Sequence, residues 1–162
     1  QIGRLEEVIE RMIVPFDKAD VIAPLTEIPG VSVHTAHVII AELGIDMTRF
    51  GNAGHAASCA GLTPGKNESA GRNYSSKIAK GNQHLKAALV QAAHTQRRAD
   101  NYLGAQYRRL ARRRGSKRAA VTVAHSMLVI VYHLLRDGTR YHERGADYFD
   151  QHDRAGQSRS RC

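Results

Sequence analysis

Apolar residues recur every three or four positions along most of the chain. Such stripes lie within residues 5–13, 36–43, 85–93 and 121–135. This spacing is typical of amphipathic helices, whereas strands would show strict alternation of apolar and polar residues. The sequence therefore predicts an all-α fold, with a compact helical domain over residues 17–140. The last stripe is the widest, which indicates a helix that is central to the core.

Capping residues predict where the helices begin. Side-chain oxygens of Ser, Asp and Asn accept hydrogen bonds from the free N–H groups of a first helical turn. The predicted N-caps are Asp20, Ser32, Asn82 and Ser116, and either Asn52 or Gly54 is expected to start the apolar helix over residues 55–60. Outside the helical domain, residues 1–16 are expected to be the end of a linker or coiled-coil helix. Residues 141–162 are expected to form a tail that is partly disordered, from Gln151 onward.

Residues 20–44 match the pattern of a helix-hairpin-helix. Pro29-Gly30-Val31 predicts a tight turn, and the helix after it ends at Gly44. In such a motif the turn and the second helix present free backbone N–H groups to one phosphate. Gly30, Val31 and Ser32 are therefore candidates for backbone contacts to one phosphate, which we call the phosphate grip. The usual hairpin has a second glycine where this chain has Ser32, so a turn that only packs stays an alternative.

A polar, glycine-rich loop from Gly61 to Lys86 interrupts the helical pattern. A loop of this length is uncommon in a compact domain unless it is functional or disordered. Its basic residues are Lys66, Arg72, Lys77, Lys80 and Lys86, and only Glu68 opposes them. The sequence therefore predicts a polyanionic ligand. Within the loop, residues 73–78 could form a small hairpin arm.

Positive charge is concentrated in the middle of the chain. The formal net charge is +9, and residues 66–118 hold 14 of the 24 Lys and Arg residues with only two acids. A charge so segregated is typical of proteins that bind a nucleic-acid backbone. The basic helix within residues 102–114 adds a candidate row of contacts to the backbone of DNA or RNA, which we call the rail. Its residues are Arg108, Arg109, Arg112 and Arg113.

Composition also excludes several classes of protein. Two cysteines, Cys59 and Cys162, make no disulfide framework, which favours a reducing compartment. No apolar run is expected to approach membrane-spanning length, so we expect a soluble protein without a membrane partner. Three glutamates in the amphipathic N-terminal segment disfavour a signal or transit peptide.

Four kinds of site compete for the loop and its neighbours. Gly61–Lys66 looks like a nucleotide-binding P-loop, but its glycines are one residue too close and no strand precedes it. A base-excision glycosylase would use Asp46, which lacks the catalytic context of those enzymes. A metal site has His34 and His37 but no third convergent ligand. The fourth is a nucleophilic Ser69, which could attack a phosphodiester if nearby cations stabilised the transition state.

Several short motifs follow one another in a fixed order. They are Ile28-Pro29-Gly30, Ala41-Glu42-Leu43-Gly44, Ala60-Gly61-Leu62-Thr63-Pro64, Ser69-Ala70-Gly71, Lys80-Gly81-Asn82, Leu85-Lys86 and Leu89-Val90-Gln91-Ala92-Ala93. Over about residues 20–136 this order resembles the C-terminal transposase domain of the insertion-sequence-one-ten family. That family includes the pilin-gene invertase and the bridge-RNA-guided recombinases. Ser69-Ala70-Gly71 departs from the family's usual Ser-Gly.

The resemblance implies a DNA transposase or recombinase of a mobile insertion sequence. Ser69 would be the nucleophile that attacks a DNA phosphate. An RNase H-like domain outside this sequence would bind Mg²⁺ through four acids, and no cofactor is expected in the present domain. The implied partners are DNA, a guide RNA and further copies of the protein, as a dimer to tetramer. The implied location is the bacterial cytoplasm, at the nucleoid, and this domain alone is expected to bind without recombining.

Further residues are predicted to support the reaction. Around the serine we expect phosphate contacts from Lys66, Arg72, Lys77 and Lys80. Asn82 and His84, at the start of the next helix, are expected to supply local hydrogen bonds. His84 could also serve as a general base, although an exposed helix histidine without a role stays an alternative. The rival function is a non-enzymatic nucleic-acid-binding module in which the serine only shapes a turn.

Overall fold

The computed structural model describes residues 18–63, 68–69, 72–73 and 81–159 of the chain. Its elements, in order, are α1 (Lys18–Thr26), α2 (Val33–Leu43), α3 (Ala53–Cys59), β1 (Glu68–Ser69), β2 (Arg72–Asn73), α4 (Gln83–Thr95), α5 (Tyr102–Arg114), α6 (Ser116–Asp137) and α7 (Tyr148–Arg159). Two short 3₁₀ turns cover Met47–Arg49 and Gln96–Arg98. The predicted all-α fold class is confirmed. The predicted linker over residues 1–16 lies outside the described residues.

Helix α6 is the centre of the core. It packs against α1, α3, α4 and α5, which is why its apolar residues extend over more than one face. Val123, Met127, Leu128 and Val131 on this helix are completely buried. By length and composition α6 could also cross a membrane, so the expectation that no apolar run approaches that length is wrong. Its contacts with four other helices identify it as a core helix.

The connection between α1 and α2 is a tight turn that packs against the end of α4. The Val31 N–H donates to the Ile28 carbonyl at 3.0 Å, and Gly30 has a φ of +88°. Proline followed by a glycine of positive φ is the pattern of a type II turn. A Cβ on Gly30 would lie 2.5 Å from Nε2 of Gln96 and 2.8 Å from the carbonyl oxygen of Ala92. Both backbone conformation and packing therefore require glycine at this position.

Two predicted caps are wrong. Asp20 lies inside α1, which already includes Lys18, so it does not occupy the position that precedes the helix. Ser116 is the first residue of α6 rather than its cap, and Gly115 precedes it without a side-chain hydrogen bond. The predicted caps Ser32, Asn52 and Asn82 are confirmed, each accepting a hydrogen bond from a first-turn N–H.

The tail differs from expectation, and a short hairpin lies in the loop. The tail that was expected to be disordered from Gln151 is helical over Tyr148–Arg159, because aromatic and ionic contacts with α5 hold it. The described hairpin pairs Glu68–Ser69 with Arg72–Asn73, and the hairpin predicted within residues 73–78 lies outside the described residues except for Asn73. Local periodicity does not detect the tail helix, since that helix depends on contacts with a distant segment.

Leu128→Ala tests the position of α6 in the core. The side chain is completely buried, so its truncation should lower the free energy of unfolding by about 2–5 kcal/mol through lost burial and a residual cavity. Val33→Ala is the control, because Val33 is 55% exposed and its truncation should change that free energy by less than about 0.5 kcal/mol. Urea denaturation measures both. Equal effects of the two variants would contradict the fold.

Candidate functional site

The glycine-rich loop begins at a helix-ending motif. The Leu62 N–H donates to the Ala57 carbonyl at 2.9 Å, and the Gly61 N–H donates to the Ser58 carbonyl at 3.0 Å. Gly61 has a φ of +68°, and the side chain of Leu62 is buried. These are the bonds, the glycine and the apolar contact of a Schellman motif. The P-loop appearance of Gly61–Lys66 therefore has a different origin, since its first glycine ends α3.

The end of the loop returns to its beginning. A Cβ on Gly81 would lie 2.2 Å from the Gly61 nitrogen and 2.7 Å from the Ala60 carbonyl carbon. The next residue, Asn82, donates its N–H to the Cys59 carbonyl at 2.9 Å. Only glycine allows two backbone segments to approach so closely. The structure thus joins the C-terminal end of α3 to the N-terminal end of α4, at the two ends of the loop.

Asn82 links that junction to two helices. Its Oδ1 accepts from the Leu85 N–H at 3.0 Å, which caps α4, and its Nδ2 donates to the Glu42 carboxylate at the end of α2. The side chain is thus engaged within the protein, and its predicted contact with nucleic acid stays a prediction. His84 is exposed in the first turn of α4, and Lys86 beside it is half-buried.

Within the loop, the structure describes the backbone of a short hairpin. Ser69 pairs with Arg72, and Glu68 pairs with Asn73, in antiparallel register. Two predicted site residues, Ser69 and Arg72, are therefore neighbours across the hairpin. Three other predicted contacts, Lys66, Lys77 and Lys80, lie outside the described residues.

The predicted phosphate grip at the α1–α2 turn is formed by residues that also have structural roles. The Val31 N–H is bonded within the turn and its side chain is in the core. The Ser32 hydroxyl accepts from the Thr35 N–H at 3.1 Å. The other two N–H groups at the start of α2, those of Val33 and His34, have no acceptor inside the helix, so they are the donors open to a phosphate. The grip stays a prediction.

The predicted rail on α5 divides into two kinds of arginine. Arg108 donates from Nη1 to the Ala99 carbonyl at 2.7 Å. Arg109 makes a two-bond ion pair with Asp153 of α7, at 2.6 and 3.2 Å, and its guanidinium lies over the Phe149 ring. The hydrogen bonds from Arg109 lower the pKa of Asp153. Arg112 and Arg113 are exposed, which leaves them accessible to an anionic ligand.

Comparison with known proteins decides the family. A family model described as the transposase IS116/IS110/IS902 family matches residues 22–108. The chain belongs to this family. A relative described as "Insertion element IS110 uncharacterized 43.6 kDa protein", from Streptomyces coelicolor, is 37% identical over 123 residues. That alignment covers 74% of this chain and 30% of the relative.

The part that matches the IS116/IS110/IS902 transposase family contains the loop junction. Residues 22–108 include the α1–α2 turn, the Schellman motif, the hairpin and all of α4. The basic end of α5 and the whole of α7 lie beyond the match. The predicted nucleophile and its supporting junction are therefore within the shared transposase region.

Outside the family match, the tail is attached to α5 through Glu143. Its carboxylate accepts from the N–H groups of Tyr102 and Gly145 and from the Tyr141 hydroxyl, each at 2.8 Å. Partial burial alone would raise the pKa of Glu143, but these hydrogen bonds outweigh it and lower that pKa. Burial and the same carboxylate raise the pKa of Tyr141. The tail thus supplies a charged cap for α5.

Sequence reasoning missed several residues that the structure brings forward. Glu42 pairs with Asn82 across 40 positions, and no local sequence signal indicates such a long-range bond. Arg97 and Arg98 lie in the basic segment of residues 66–118, but no motif in the sequence distinguishes them from its other cations. Asp46, the glycosylase candidate, caps the Met47–Arg49 turn by accepting from Thr48. Among the described side chains, no three His, Cys, Asp or Glu residues converge as metal ligands.

Asn82→Ala tests the loop junction. Loss of the cap should lower the free energy of unfolding by about 1 kcal/mol, because the Leu85 N–H loses its acceptor. Asn82→Ser is the matched variant, since serine caps equally well but is too short to replace the bond to Glu42. It should therefore cost less than alanine in urea denaturation. Equal costs for the two variants would contradict the capping role.

Glu143→Gln tests the attachment of the tail as a function of pH. The folded-state pKa of Glu143 is lowered, so its charge stabilises the fold above the unfolded pKa of about 4.3. That contribution is lost as the pH falls through the folded value. The unfolding free energy of wild type should exceed that of the variant by up to about 1 kcal/mol at neutral pH, since a largely exposed carboxylate is screened.

Urea denaturation of both proteins between about pH 3 and about pH 7 measures this difference. It should shrink towards zero at the acidic end. A difference that is constant over the whole range would show that the charge of Glu143 does not contribute.

Proposed function

We propose that this chain is the serine-bearing domain of a DNA transposase or recombinase. Family membership supports a role in transposition. The observation that carries the proposal further is the junction of Gly61, Gly81 and Asn82, which ties both ends of the Ser69 loop to the helical core. A nucleophile gains most of its effect from being held in position relative to its substrate.

In the proposed reaction, the Ser69 hydroxyl attacks phosphorus in a DNA phosphodiester. The hydroxyl loses its proton, the serine oxygen forms a bond to phosphorus, and the bond from phosphorus to one sugar oxygen breaks. That oxygen takes up a proton and leaves as a hydroxyl. The product is a phosphodiester between serine and DNA, so a second DNA hydroxyl can reverse the step without another energy source.

The residues around the serine have distinct proposed roles. Arg72 pairs with Ser69 across the hairpin, and an arginine there can stabilise the charge that develops on the phosphate oxygens. Lys66, Lys77 and Lys80 add positive charge along the same loop. His84 lies exposed just after the junction and can accept the serine proton if the loop folds towards it.

The whole protein is proposed to need more than this domain. The chain spans 30% of the relative from Streptomyces coelicolor, and an RNase H-like domain binding Mg²⁺ is expected elsewhere in the full-length protein. A guide RNA and assembly of a dimer to tetramer belong to the same proposal. The present domain supplies the nucleophile and part of the DNA surface.

Ser69→Ala in the full-length protein tests the proposed nucleophile. A covalent complex with end-labelled DNA, detected on a denaturing gel, should disappear because no oxygen is left to form the ester. Affinity for the DNA should stay nearly unchanged. Ser75→Ala is the matched control, since it removes a hydroxyl from the same loop and should leave the complex intact. If the complex persists in Ser69→Ala, the chain is better described as a non-enzymatic binding module.

A further inference from the structure

A second cationic surface lies away from the Ser69 loop. We name it the arginine notch: a concavity of about 370 Å³ lined by Arg97, Arg98 and Arg112, with Ser116 at one edge. Tyr107, Arg108 and Ala111 form the rest of its lining. The three defining arginines are exposed and come from two elements, the Gln96–Arg98 turn and the last turns of α5. The fold thus brings Arg112 together with two arginines that lie 14 and 15 positions before it.

The backbone that carries Arg97 and Arg98 is held firmly. Asn101 donates from Nδ2 to the Gln96 side chain at 3.0 Å, and Arg108 donates to the Ala99 carbonyl at 2.7 Å. A Cβ on Gly104 would lie only 2.1 Å from that same Ala99 oxygen, so α5 starts in close contact with the turn. The turn therefore carries Arg97 and Arg98 on a fixed backbone, and Arg108 contributes to the structure of the notch.

The three arginines differ from Arg109 in their surroundings. Arg109 is neutralised by Asp153, whereas none of the three forms an ion pair among the described side chains. Like charges that converge without a counter-ion repel each other, and a bound anion would relieve that repulsion. Ser116, the first residue of the 22-residue α6, also lines the notch, so the positive end of that helix dipole adds to the attraction for an anion.

We propose that the arginine notch binds the phosphate backbone of duplex DNA. Guanidinium groups bind phosphate through paired hydrogen bonds, which suits three arginines that share one concavity. The single aromatic residue in the lining, Tyr107, is buried, so no exposed ring is present there to stack on an unpaired base. Backbone contact with a duplex fits such a surface better than recognition of a single strand. The choice of DNA rests on the proposed function.

The test measures affinity of the chain for a random-sequence DNA duplex of about 30 base pairs, by fluorescence anisotropy over a series of salt concentrations. Each phosphate contact contributes about 0.9 to the slope of log affinity against log salt. Replacing the three arginines together (Arg97→Gln, Arg98→Gln and Arg112→Gln) should lower that slope by about 2–3 and weaken binding at least about tenfold. Each single variant should lower the slope by about 1.

Arg136→Gln is the charge-matched control. Arg136 is exposed on the same helix as Ser116 but about 30 Å along it. This variant should keep the wild-type slope. Circular dichroism reports whether each variant is folded, and the single variants test the notch if the triple variant unfolds. A wild-type slope in folded notch variants would overturn the proposal.

Two further arms identify the ligand and separate this inference from the proposed function. Tighter binding of wild type to single-stranded DNA or to duplex RNA than to duplex DNA would overturn the assignment to duplex DNA. Ser69→Ala should bind the duplex as wild type does. If the notch variants show the wild-type salt slope, the proposed ester between Ser69 and DNA is unaffected. If Ser69→Ala still forms the covalent complex, the salt slope assigned to the notch is unaffected.

Discussion

The approach of Gly81 to Gly61 is the contact on which the account of this domain depends. It brings two chain segments together where no side chain would fit, and the bond from the Asn82 N–H to the Cys59 carbonyl closes the junction. The junction in turn relies on α3 and α4 both packing against α6. Fixing the two ends of a loop removes the entropy of end-to-end closure before any ligand arrives, which lowers the cost of ordering the loop for a reaction.

The positive charge of the chain serves two different purposes. Arg109 holds α7 through Asp153 and Phe149, and Arg108 bonds to the backbone at Ala99. Neighbouring arginines without acidic partners form the arginine notch. Charge counting along the sequence treats all of these residues alike. Only the three-dimensional arrangement separates arginines that stabilise the protein from arginines that can bind a phosphate.

Local signals predicted much of the fold, and long-range contacts account for the rest. Ser32, Asn52 and Asn82 were predicted as caps because a cap acts within its own helical turn. Helix α7 was missed since its stability comes from contacts with residues about 45 positions away. In the site, Gly30 was predicted to hold a phosphate, whereas its packing against Gln96 and its turn geometry already require glycine. Glu42 and Asn82 were both visible in the sequence, but their bond was not.

The most direct test of the central claim is the exchange rate of the Asn82 backbone amide with solvent deuterium, measured by NMR. The account predicts that this amide is protected to about the same degree as the amide of Leu89 in the middle of α4, because opening the junction would require α3 and α4 to separate. Exchange at the rate of an unprotected loop amide would contradict it. The loop would then not be anchored to the core, and the positioning argument for Ser69 would lose its structural basis.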